Sequence, residues 1–201
     1  ADAMILFWLC SWAAMAANVA IEGATILTVT GPPIEGGTVV VRDGVIAAVG
    51  RDVEVPEGTP VVDASGKFLM PGIIDVHSHM GVYPWPSAKA HGDGNEATAP
   101  VTARVRASDS VHVSDPAFGR ARAGGVTTIQ VLPGSANLVG GEAVTLKLRP
   151  SRTLAGMAMQ GAPRGIKMAC GENPKRVYGS DVDGPQTVSY THLTLPTKNE
   201  V

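Results

Sequence analysis

A chain of 201 residues with 44% hydrophobic and 17% charged residues has the composition of a folded globular protein, which excludes disorder as the default state. Its formal charge of −2 is mixed along the chain, so there is no electrostatic footprint for nucleic acid or an anionic membrane. Aromatic residues make up only 4%, while 24 glycines and 15 prolines favour short strands joined by tight turns over a helical bundle.

From the start of the chain, residues 4–17 are apolar, uncharged and close on Ala14-Met15-Ala16, the small residues of an export-signal cleavage site. The run falls short of the roughly 20 helical residues that span a bilayer. Residues 1–17 are therefore read as a signal peptide of an exported protein, periplasmic or extracellular, with no membrane span. Because a positively charged start is absent, either the true beginning is missing or the run is a buried strand or helix. Cys10 would leave with the signal, and the lone Cys170, among Ile166, Met168 and Ala169, reads as a small buried residue rather than a nucleophile.

Residues 18–70 are a series of short β-type runs at 19–21, 25–30, 38–42, 45–49 and 60–63. Asp43-Gly44 separates two of them, and a two-residue Asp-Gly turn between apolar strands is a strong hairpin signal because both positions tolerate positive φ. A small antiparallel sheet packed as a sandwich is expected, acting as scaffold.

At residues 71–80 the character changes. Along this predicted strand Ile73, Asp75, His77 and His79 fall on one face by the period-2 rule, and Ile74, Val76, Ser78 and Met80 on the other. Residues 81–114 form a loop longer than most connections, as functional loops often are. A short helix is expected at 115–123, with Asp115 as N-cap, Pro116 at the first helical position and Gly124-Gly125 as its stop. A β-branched strand follows at 126–132, and strand, helix, strand is the unit of a parallel α/β fold. Further extended segments are expected at 143–148 and 165–170. Gly140-Gly141 lacks the Gly-Lys-Ser/Thr of a phosphate-binding loop, which excludes a nucleotide site. The final residues match nothing before them: 188–197 resemble an in-frame translation of a transposon-end adapter used in DNA library preparation, so 188–201 are read as an artefactual tail.

The chemistry concentrates at His77 and His79. Two imidazoles on one face of a strand stand about 6.5–7 Å apart at Cα, so converging rings can share a metal ion. Asp75, two residues earlier, could orient a ligand ring. The spacing alone leaves both a metal site and an ordinary polar pair open. His91 and His112, in the long loop, read as solvated or substrate-contacting, and Asn95 and Glu96 as residues at the mouth of the site.

The segment LMPGIIDVHSH (69–79) resembles the first barrel strand of the metal-dependent amidohydrolase superfamily. The earlier strands, including VVVRDGVIAAVG (39–50), resemble that superfamily's composite N-terminal sandwich. Segments like DGNEAT (93–98), GVTTIQVLPGSAN (125–137) and GIKMACGENPKR (165–176) are similar to ones in the imidazolonepropionase-related branch. The resemblance covers about residues 18–187. It implies an α/β fold: an N-terminal β-sandwich over 18–70, then the first strands of a truncated (β/α)8 TIM barrel over 71–187. It further implies one or two divalent metals, zinc expected, at the C-terminal ends of the strands. His77 and His79 would hold the first, and Lys167, carboxylated, or Glu172 would be the candidates for a group bridging two metals. The ion would lower the pKa of water to about 7 and polarise a carbonyl or amidine. The implied activity is hydrolysis of carbon–nitrogen bonds other than ordinary peptide bonds in a small molecule, such as a cyclic amide or small dipeptide. A homo-oligomer is allowed for the complete protein. Because a whole barrel takes about 250 residues and the remaining ligands come from later strands, the chain is expected to be an incomplete, inactive fragment. The alternative is a non-catalytic binding or scaffold protein of the same fold.

Overall fold

The computed structural model describes residues 18–178; the expected export signal and the 188–201 tail lie outside the described residues. The chain falls into two units, divided between Pro71 and Gly72. In the first, β1 (Val19–Ile26), β2 (Ile34–Arg42), β3 (Val45–Gly50), β4 (Val61–Asp63) and β5 (Phe68–Leu69) form a five-stranded sheet. Asp43 and Gly44, at φ 51° and 73°, make the expected turn between β2 and β3. This left-handed pair matches the twist of the strands it joins. Two features differ from the antiparallel sandwich expected. The sheet is mixed, since β1 pairs antiparallel with β2 but parallel with β4 and β5. Residues 51–60 return the chain to the far side of β1, running in the direction of β1. The described residues of this unit also form one sheet rather than two layers, with Ala24, Ile26, Val39 and Ala64 as a small buried cluster.

The second unit contains β6 (Ile73–Ser78), α1 (Pro116–Ala123), β7 (Val126–Val131), β8 (Val139–Glu142), β9 (Val144–Lys147), α2 (Leu154–Met157), β10 (Ile166–Met168) and α3 (Glu172–Tyr178). The expected strand, helix, strand unit is present: β6 and β7 run parallel and α1 lies between them in sequence. β9 joins β7 antiparallel, giving the order β6-β7-β9, while β10 and β8 form a separate antiparallel pair. The sequence reading did not anticipate β8, α2 or α3. Two glycines occupy the centre of β8 and α2 spans one turn, so neither shows a period, and Pro174 in α3 is tolerated because it lies in the first turn. The core forms around the central strand, where Ile129 and Val131 are inaccessible to solvent and pack with Val82, Phe118, Leu146 and Met157.

Two polar devices fix the loops around this core. The Asp115 carboxylate, 3% exposed, accepts from the backbone N–H of Ala117 at 2.9 Å, capping α1, and also from Gly81 at 2.9 Å and Trp85 at 3.0 Å. One buried side chain thus starts the helix and pins the chain that leaves β6. Residues 94–99 of the long loop are tied to the segment after β7. Gly134 N–H donates to Gly94 O at 2.6 Å, Ala136 N–H to Asn95 Oδ1 at 3.0 Å, and Asn137 Nδ2 to Glu96 O at 2.6 Å and Ala99 O at 2.8 Å.

Asp115→Ala removes the cap and strands two further backbone donors. It is expected to lower unfolding stability by about 2–3 kcal/mol, read as a shift of the urea midpoint at unchanged slope. A midpoint equal to the wild type would show that water replaces the carboxylate without cost.

Candidate functional site

The strand that carries the histidines is not regular. Asp75 pairs with Ile129 and Ser78 with Val131, so β6 has one more residue than β7 in this interval. Such a bulge bends the strand and re-aims its side chains. The bulge frees the His77 N–H from the ladder, and Asp75 Oδ1 accepts it at 3.0 Å. One oxygen of the Asp75 carboxylate is therefore engaged with backbone.

Past the bulge the two rings meet, with centroids 5.3 Å apart and planes at 80°. His77 is exposed and His79 half-buried at the end of the strand. Nδ1 of His79 lies 2.9 Å from the carbonyl oxygen of Leu132, the residue just past β7. A carbonyl only accepts, so this nitrogen carries the proton and Nε2 keeps its lone pair. The Leu132 carbonyl thereby orients the ring, as metal-binding imidazoles require. Burial is the main force that holds the His79 pKa below that of a free imidazole, and the nearby Lys167 charge adds to it. Tyr83 packs against the same ring, its centroid 5.8 Å away and its plane at 76°. Burial, reinforced by Asp93, raises the Tyr83 pKa, which keeps its hydroxyl protonated.

Lys167 arrives from a distant part of the chain. β10 presents its apolar residues to solvent and its lysine inward: Ile166 is 52% exposed, Met168 48% and Lys167 5%. Nζ of Lys167 stands 3.2 Å from Nε2 of His77. Burial depresses the pKa of this amine. Two imidazoles at the end of β6 and one amine from the middle of β10 are thus gathered. Among the described residues, no group of three or more His, Cys, Asp or Glu side chains is placed to hold a metal. Imidazole nitrogens are the donors that suit a divalent ion of the zinc class, and the two rings and the Lys167 amine beside His77 fit such an ion.

The other sequence candidates lie elsewhere. Glu172 opens α3, is exposed, and no hydrogen bond or salt bridge joins it to either histidine or to Lys167 among the described residues. His91 and His112 stack on each other, with centroids 5.4 Å apart. Asn95 and Glu96 line a cleft of about 350 Å³ together with Arg104, Arg106 and Pro133. Cys170 is exposed, not buried as expected, because β10 ends at Met168 and the chain turns at Gly171, φ 83°. Sequence reasoning missed the Leu132 carbonyl and Tyr83. The first was accessible in principle, since a parallel strand, helix, strand unit brings two strand ends side by side.

No protein-family model matches the chain. An amidohydrolase, tasK, of Hapsidospora irregularis is 41% identical over 163 residues, covering 75% of this chain and 17% of that protein. The crystal structure of an amidohydrolase from Thermotoga maritima MSB8 superposes with a TM-score of 0.74 at 44% identity, covering 81% of this chain and 41% of that one. The chain is similar to amidohydrolases. It spans less than half the length of either of these two proteins. An imidazolonepropionase of Deinococcus deserti is 28% identical over 115 residues, 50% of this chain and 29% of that protein, so the amidohydrolase likeness is stronger than the likeness to that branch.

The His79 shift has a direct consequence. A histidine whose folded pKa is lowered binds fewer protons than the unfolded chain in the interval below 6.5, so its contribution to stability is intact above that pH and declines as pH falls toward the folded pKa. In an NMR titration of the metal-free chain, the His79 midpoint is expected below 6.5. A midpoint at or above that value would mean that the ring is not desolvated as described.

Proposed function

We propose that this chain carries the first metal-binding strand of a metal-dependent amidohydrolase that cleaves carbon–nitrogen bonds in small molecules. The observation that carries this reading is the approach of Lys167 Nζ to within 3.2 Å of His77 Nε2, across 90 residues of sequence. In this reading His77 and His79 would hold one divalent ion, zinc by the preference of imidazole donors. Bound there, the ion would supply activated water and polarise the substrate carbonyl or amidine.

The remaining chemistry belongs to the protein. The Leu132 carbonyl holds His79 in the tautomer whose Nε2 is free to bind, and burial keeps the ring neutral. Of the two candidates for a bridging group, Lys167 is favoured over Glu172 because it reaches His77. Its depressed pKa increases the fraction of free amine, the form that attacks carbon dioxide. The amine nitrogen bonds to the carbon, a proton leaves to water, and the resulting carbamate offers two oxygens to metal where the amine offered one nitrogen.

The same reading extends to architecture. His79 and Leu132 follow the C-terminal ends of two parallel strands, where barrel sites lie, and β6, α1 and β7 are taken as the start of a (β/α)8 barrel. Ile74 and Val76, 64% and 67% exposed on the reverse of β6, are then residues that helices cover in the complete barrel. The sheet of residues 18–71 is taken as one layer of a sandwich. The proposed substrates are cyclic amides or small dipeptides. The export reading of residues 1–17 belongs to this proposal and rests on their apolar run and small-residue site.

The test is zinc binding by the 201-residue chain, measured by calorimetry. Binding near one equivalent is expected, weakened on the order of 100-fold or more by His77→Ala and by His79→Ala, and less by Lys167→Met. Wild-type affinity in both histidine variants, with wild-type circular dichroism, would overturn the assignment.

A further inference from the structure

Tyr83 has no role in the reading above, yet the structure spends several residues on its placement. It lies four residues past His79, in a turn where its N–H donates to the His79 carbonyl at 3.0 Å. Its ring stands nearly perpendicular to that of His79, at a centroid distance of 5.8 Å. The site therefore presses on the His79 imidazole from three directions: Leu132 O at Nδ1, the His77 ring, and the Tyr83 ring. A single hydrogen bond at Nδ1 leaves the imidazole free to rock about that bond. A packed aromatic ring blocks the motion.

Tyr83 is 42% exposed, and two glycines make room for the hydroxyl end of its ring. A Cβ at Gly94 would collide with Cζ and Cε2 of the tyrosine, and a Cβ at Gly134 would collide with its hydroxyl and with the Asn95 amide. Neither glycine has a left-handed φ, so what these positions require is room, not backbone freedom. The two glycines are joined to each other by the Gly134 N–H to Gly94 O bond of 2.6 Å. The hydroxyl itself meets Asn95. Its Oδ1 accepts from Ala136 N–H at 3.0 Å, which fixes the amide so that Nδ2 donates to the Tyr83 hydroxyl.

We propose that Tyr83 is a positioning residue: seated against Gly94 and Gly134 and held at its hydroxyl by Asn95, it sets the orientation of His79 for its metal. This rests on the metal reading of His77 and His79. The segments 93–98 and 125–137 then share one task, since they supply the two glycines, Asn95 and the Leu132 carbonyl.

The experiment uses the 201-residue chain with Tyr83→Ala, Tyr83→Phe and Gly134→Ala, and two readouts. One is the ¹⁵N imidazole shifts of His79 in the metal-free protein, which report the fraction with the proton on Nδ1. The other is zinc affinity. Tyr83→Ala and Gly134→Ala are expected to mix the tautomers and weaken zinc roughly 10- to 100-fold, the usual effect of losing a group that orients a ligand. Tyr83→Phe keeps the ring contact and falls between these and wild type. Should Tyr83→Ala fail to fold, Tyr83→Leu fills the space without a flat ring and is expected to behave as Tyr83→Ala does. Wild-type tautomer and affinity in both Gly134→Ala and the folded Tyr83 variant would overturn the proposal. Absence of zinc binding in the wild type would defeat the metal reading instead, and the metal-free tautomer would still decide whether Tyr83 holds His79.

Discussion

The parallel alignment of β6 with β7 is the constraint from which the rest of the site follows. Parallel strands end at the same edge of a sheet, so the residue after β6 and the residue after β7 become neighbours although 53 positions separate them. His79 then meets the Leu132 carbonyl. Antiparallel pairing would set the end of one strand against the start of the other, and that hydrogen bond could not form. The parallel arrangement requires a crossover between the strands, which α1 contributes, and Asp115 ties the start of that helix to the turn after β6. One carboxylate thus coordinates the crossover with the strand end it serves.

The strands of this site invert the usual rule of burial. β10 turns a lysine inward between two exposed apolar residues, and β6 exposes Ile74 and Val76. Taking an amine out of water disfavours its charged form, so the lysine moves toward neutrality rather than bearing the full desolvation cost. The same pressure acts on His79. For both groups burial favours the state with an available lone pair. Burial outweighs the opposing pull of the Asp75 carboxylate on His79.

Much of this was legible in the sequence, for identifiable reasons. The Asp43-Gly44 hairpin, the Asp115-Pro116 start of α1 and the β-branched run of β7 are local signals, and local chemistry decides them. The pairing of His77 with His79 followed from strand periodicity, although the bulge that aims them did not, since an extra residue in one strand leaves no mark in its own composition. The hydrogen bond from the His77 N–H to Asp75 Oδ1 is hidden from the sequence for that reason. Cys170 is exposed despite apolar neighbours because β10 ends at Met168 and the chain turns away at Gly171, an end that residue type alone does not mark. Lys167 is singled out in the sequence by the family resemblance alone. Its approach to His77 is a long-range contact from a strand paired with β8, which no spacing rule encodes.

The long loop shows how a stretch without regular structure can still be rigid where it matters. Residues 94–99 carry few apolar side chains, so burial alone would not fix them. They are held by backbone and amide hydrogen bonds to the segment after β7: Gly134 to Gly94, Ala136 to Asn95, and Asn137 to two carbonyls. Asn137, 1% exposed, can satisfy both carbonyls because its amide carries two hydrogens on one nitrogen. A hydroxyl has only one hydrogen to give, and an aspartate would repel both acceptors. Loop and strand end therefore move as one piece, and whatever rests on the loop keeps its register with the histidines at the sheet edge.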